Sequence, residues 1–69
     1  MIDWHALCEN FRRRGLSLPQ AATLAGIPAT HIQGVWTGKV EEPGFSAGVK
    51  LLDLHFDMFP ELHHTILET

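Results

Sequence analysis

The chain predicts an all-α fold, a compact bundle of about five short helices, and three observations point there. Apolar residues recur at helical spacing, glycine and proline cut the chain into short pieces, and no stretch sustains the period-two alternation of a half-buried strand. Sixty-nine residues suit a single domain over 1–69. At that length folding buries only about 60% of the surface that the unfolded chain exposes. Every helix must therefore contribute to one shared core.

In the first piece Trp4, Leu7, Cys8 and Phe11 fall at i, i+3, i+4 and i+7, the spacing of one helix face. Asp3 is the expected N-cap and Gly15 the residue past the end, so the first helix covers about 3–14. Ser17-Leu18-Pro19-Gln20 has the spacing of a capping box, with proline tolerated in the first turn. That second helix runs to Ala25, where Gly26 supplies a left-handed residue and Ile27-Pro28 cannot continue it. Its side chains are small at Ala21, Ala22 and Ala25, with Leu18 and Leu24 as expected anchors. Ile32, Val35 and Trp36 mark a third helix from Ala29, ended by Gly38. Its outward positions, Thr30, His31, Gln33, Gly34 and Thr37, include no acid. Val49, Leu51, Leu52, Leu54 and Phe56 define a fourth helix over 46–56 with Ser46 as N-cap, and Phe59, Leu62, Ile66 and Leu67 a fifth over about 58–67.

The net charge of -3 conceals an uneven distribution. From Asn10 to Val40 there is no carboxylate, while Arg12, Arg13, Arg14 and Lys39 are cationic; from Glu41 onward six carboxylates face one cation, Lys50. A positive middle beside a negative tail is the asymmetry of a molecule with one face toward an anion. Cys8 stands alone, so no intramolecular disulfide forms, and a free thiol suits a reducing cytosol. The start has neither a basic leader nor an apolar run, and nothing approaches the roughly 18 apolar residues of a membrane span. The expectation is a cytoplasmic chain without a membrane partner. His55, His63, His64 and Cys8 lack the paired spacing of a zinc site, and Asp53 and Asp57 at i, i+4 read as an exposed face. No metal, cofactor or enzymatic activity is expected.

Residues 17–38 carry the functional signal. Two short helices joined by a tight glycine turn are the pattern of a helix-turn-helix, in which the second helix enters the DNA major groove and the first braces it. Ala22 is small where the helices would cross, Gly26 turns the chain, and Ala21, Ala25, Ile27, Ile32 and Val35 would lock the pair to the core.

The run Gly15-Leu16-Ser17, then Ala21-Ala22, Gly26-Ile27, Ile32 and Gly38-Lys39, resembles the lambda-repressor and Cro-like helix-turn-helix domains of phage and bacterial regulators. Glu42-Pro43, Gly48, Leu51-Leu52 and Leu54-His55 are similar to the close of that domain in short prophage members, so the likeness covers about residues 4–62. Many members place a glutamine where Leu18 stands, and Gln20 is the nearest substitute. The resemblance implies that Ala29, Thr30, His31, Gln33 and Gly34 face base edges, Gln33 pairing bidentately with adenine and Thr30 or Ala29 meeting a thymine methyl. It implies phosphate contacts from Arg12, Arg13, Arg14, Ser17, Gln20, Thr37 and Lys39, supported by the backbone N–H groups at both helix starts. For the arginine run, a solvated helix end stabilised by its dipole stays open beside phosphate contact. Trp4 and Trp36 read as packing anchors.

The expected activity is sequence-specific binding of double-stranded DNA by a homodimer acting as a transcription regulator of the repressor type. Its expected interface is the apolar surplus at the C-terminal end: Phe56, Met58, Phe59, Leu62, Ile66 and Leu67. The alternative is a protein-interaction module on the same fold, such as an antirepressor, part of an antitoxin or a phage protein that sequesters a host factor.

Overall fold

A computed structural model describes residues 2–67; Met1, Glu68 and Thr69 lie outside the described residues. Four α-helices, α1 (Trp4–Arg13), α2 (Leu18–Ala25), α3 (Ala29–Thr37) and α4 (Phe45–Met58), are followed by a 3-10 helix, Pro60–Ile66. Among the described residues the one strand-like pairing is an isolated antiparallel bridge between Ile2 and Leu67. The all-α bundle of five short helices is therefore the observed fold.

The local signals act as their chemistry requires. Asp3 Oδ1 accepts from the Ala6 N–H at 3.0 Å and starts α1. At its end the Leu16 N–H reaches the Phe11 carbonyl (3.0 Å) and the Gly15 N–H the Arg12 carbonyl (3.0 Å), the paired closure of a Schellman motif. Ser17 and Gln20 form a reciprocal capping box at the start of α2. Gly26 ends α2 at φ 79°, which L side chains rarely adopt, and the chain turns through Ile27 and Pro28 directly into α3.

Three elements differ from the sequence expectation. Leu24, an expected anchor of α2, is 60% exposed; Leu18, Ala21 and Ala22 make the burial instead. Helix α4 begins at Phe45 rather than after a Ser46 cap, because Gly44 at φ 89° already reverses the chain after Pro43. It also continues through Met58. The last segment is a 3-10 helix rather than an α-helix over 58–67. Seven residues span about 14 Å at the 3-10 rise and about 10 Å at the α rise. The longer reach carries the chain back to the start of α1, where the Asp3 N–H bonds the Ile66 carbonyl at 2.7 Å.

The core is built around α1. Leu7, Cys8 and Phe11 are fully buried against Ala21 and Ala22 of α2, Ile32 and Val35 of α3, Leu51 of α4, and Phe59 and Ile66. The burial of Phe59 and Ile66 corrects the expected dimer surface at the C-terminal end. These two side chains, with half-buried Leu62, are consumed within the monomer, while Phe56, Met58 and Leu67 remain exposed. Two polar side chains enter the core as a pair: Asn10 Nδ2 donates to His55 Nε2 at 2.9 Å and to Thr65 Oγ1 at 3.0 Å. The Thr65 hydroxyl in turn donates to the Leu62 carbonyl. This network ties α1, α4 and the 3-10 helix together.

Candidate nucleic-acid interface

The exposed side of α3 presents Ala29, Thr30, Gln33 and Thr37 to solvent. Thr30, Gln33 and Thr37 follow one another at i, i+3 and i+7, so they share a face opposite buried Ile32 and Val35. Around them lies an open groove lined by Pro19 from α2, Ala29, Thr30, Gln33, Gly34 and Thr37 from α3, and Lys39 from the following turn. Among the described residues no carboxylate lines it. Pro28 supplies no side-chain cap to α3; the His31 N–H bonds the Pro28 carbonyl at 3.1 Å, which leaves the Ala29 and Thr30 N–H groups as the ones without an intrahelical acceptor.

Two of the five expected base-reading residues are placed differently from the others. His31 is half-buried, and its Nε2 donates to the Pro43 carbonyl at 2.8 Å, which pins the 41–44 loop against α3. Gly34 borders the groove but is overlaid by Val40: a Cβ built on it would meet Val40 Cγ2 at 3.0 Å. Val40 is held there by its own N–H, bonded to the Gly34 carbonyl at 3.1 Å. Gly34 thus serves the close approach of the 38–40 turn, and the open groove rests on Ala29, Thr30, Gln33 and Thr37.

The expected phosphate residues divide in the same way. Lys39 and Ser17 are exposed, as is Arg13, whose side chain is 76% exposed with Glu9 no nearer than 3.9 Å. Arg12 is engaged: its Nη1 lies 3.0 Å from Glu9 Oε1 and its guanidinium covers the Trp36 ring at 4.6 Å. Arg14 reaches Glu61 at 3.4 Å and lies over Phe59. Gln20 accepts from the Ser17 N–H, and Thr37 Oγ1 donates to the Gly34 carbonyl. The start of α2 is therefore capped by side chains, whereas α3 has no side-chain cap.

Comparison with family models, curated proteins and solved structures found no match to this chain.

Glu9 is the residue that sequence reasoning passed over. Its Oε1 accepts from Trp36 Nε1 at 2.8 Å as well as from Arg12, and these two bonds hold its carboxyl below the ordinary carboxylate range. Trp36 also stacks on His5, whose Nδ1 donates to the Trp36 carbonyl at 2.8 Å. Glu9 at i−3 and i−4 from Arg12 and Arg13 is a pairing that spacing alone makes readable. The bond to Trp36, 27 residues away, is not.

Cys8 is buried, and burial followed by the neighbouring charge of Glu9 pushes its thiol up to about 12, so it is no nucleophile at neutral pH. Among the described residues, no three His, Cys, Asp or Glu side chains converge as a ligand set. No helix there is long and apolar enough to cross a membrane.

Proposed function

We propose that this chain is a sequence-specific, double-stranded DNA-binding regulator of the lambda-repressor and Cro-like kind, placing α3 in the major groove with α2 bracing it. The observation that supports this most directly is the carboxylate-free groove formed by the outer face of α3, Pro19 and Lys39. A base edge could be reached there without bringing an acid against the phosphates.

In this reading Gln33 offers a carboxamide to adenine N6 and N7, and Thr30 and Ala29 offer methyl groups to thymine. Lys39, Arg13, Ser17 and the first N–H groups of α3 hold phosphates and set position. The arginines tied to Glu9 and Glu61 lower the number of phosphate contacts, so one module binds weakly. Two copies on half-sites about one turn apart, roughly 34 Å, would supply useful affinity on a near-palindromic operator. The compartment consistent with this activity is the cytoplasm.

One observation favours the interaction-module alternative: Arg12 and Arg14 carry carboxylate partners, leaving a face closer to neutral than the sequence alone indicates. Fluorescence anisotropy with duplexes recovered by selection from a random pool separates the two readings. A DNA-binding module loses affinity steeply between low and high salt, with a log–log slope of roughly −0.9 per phosphate held. Lys39→Ala should make that slope shallower by about one contact. Gln33→Ala should lower discrimination at one base pair by about 1–3 kcal/mol while sparing nonspecific binding. Absence of any retained duplex at low salt would refute the DNA reading.

A further inference from the structure

We propose that a second copy of this chain docks, antiparallel about a twofold axis, on the exposed apolar stripe of α4. Phe45, Val49, Leu52 and Phe56 follow at i, i+4, i+7 and i+11, all on one side of the helix. Phe45 is 89% exposed, Phe56 55% and Val49 40%, with Leu52 half-buried. The core-facing residues of α4 are Gly48, Leu51 and His55; beside them Leu52 packs partly on the core and Phe56 meets the His63 ring edge-on at 5.1 Å, yet the outer surface of the stripe stays open to solvent among the described residues.

The stripe is palindromic. Aromatic residues stand at its ends, aliphatic residues in its middle, and the spacing of four, three and four reads the same in both directions. An isologous contact needs a surface complementary to itself. Centring a twofold axis between Lys50 and Leu51 sets Phe45 opposite Phe56 of the second copy and Val49 opposite Leu52. Beside Phe45 lies a groove walled by Trp4, Pro43 and Gly48. Gly48 keeps it open, since a Cβ there would stand 3.3 Å from the Trp4 ring. The Phe56 ring of the second copy would enter this groove, an aromatic anchor in a pocket.

The charges along the flank agree with the same alignment. Lys50, Asp53 and Asp57 are exposed, and none is in an ion pair among the described residues. In an antiparallel pair each flank meets its own copy. Lys50 then lies about two residues, roughly 3 Å along the axis, from Asp53 of the second copy. Asp57 of the second copy falls opposite Gly44, at the start of a helix whose own N-cap makes no side-chain hydrogen bond. Taking about 200 Å² for a whole aromatic side chain, the stripe exposes on the order of 400 Å² per copy, roughly half the area per partner of a standard interface. That area fits a weak, concentration-dependent dimer.

The inference supplies the pairing that the proposed two-half-site operator requires, but its test uses no DNA, so failure of either reading leaves the other standing. Sedimentation equilibrium of the free protein up to about 1 mM should show a reversible dimer with a micromolar dissociation constant. Val49→Asp should raise that constant at least about 100-fold with the helical circular dichroism unchanged, since Val49 is outside the core. Lys50→Asp and Asp53→Lys should each weaken the dimer, and an equimolar mixture of the two should associate at least about tenfold more tightly than either alone. A wild-type monomer throughout, a V49D dimer as tight as wild type, or a mixture no tighter than its components would each overturn the proposal.

Discussion

Replacing His55 by glutamine should remove a defined part of the pH dependence of folding. His55 is fully buried between Phe11 and Phe59, each ring meeting it edge-on, and its Nε2 accepts from Asn10. Because the Thr65 hydroxyl is committed to the Leu62 carbonyl, Asn10 must donate to both neighbours, which leaves the His55 proton on Nδ1. Among the described residues that nitrogen has no hydrogen-bond partner. A second proton on Nε2 would face a donor and break the network. Burial first, then the charge of His63, pushes the imidazole below its ordinary value of 6.5, while Glu61 acts weakly the other way. The unfolded chain therefore takes up a proton near 6.5 that the folded chain refuses. Stability is full above that pH and is lost as pH falls from there toward the folded pKa. Between pH 7.5 and 5.5 one such proton costs at most about 1.4 kcal/mol, equivalent to roughly 5–10 °C in Tm for a domain of this size. Urea denaturation of wild type and H55Q at a series of pH values isolates the contribution, because the other histidines cancel in the difference. Parallel curves for the two proteins would refute the reasoning.

Two further outcomes follow from close contacts and from burial. Gly34→Ala should destabilise the chain despite alanine's better helix propensity of about 1 kcal/mol, because Val40 is tied to the same turn of α3; Val40→Ala in the same chain should recover most of the loss in a double-mutant cycle. The Cys8 thiol, pushed up to about 12, should stay unlabelled by iodoacetamide in native protein at pH 8 and react fully in denaturant; fast native labelling would contradict the packing of α1.

The helix boundaries were legible in the residues because their causes are local. Asp3, the Ser17–Gln20 box, Gly15, Gly26 and Gly38 act within a few positions of themselves, so α1, α2 and α3 stand where spacing and capping place them. The exposed face of α3, with Thr30, Gln33 and Thr37 outward, was legible for the same reason: helical periodicity assigns sides once Ile32 and Val35 are known to be apolar.

Tertiary structure alone decided which partners those side chains meet. Apolar character did not tell Leu24 and Phe45, which are exposed, from Phe59 and Ile66, which are core, because that depends on where the 3-10 helix returns against α1. A positive run of arginines could not announce that Glu9 and Trp36 hold one of them and Glu61 another. Nor could the sequence show His31 bonded to the loop at Pro43, or Val40 laid over Gly34. Hydrogen bonds and packing between residues far apart in the chain depend on the approach of whole elements, and no local pattern encodes that approach.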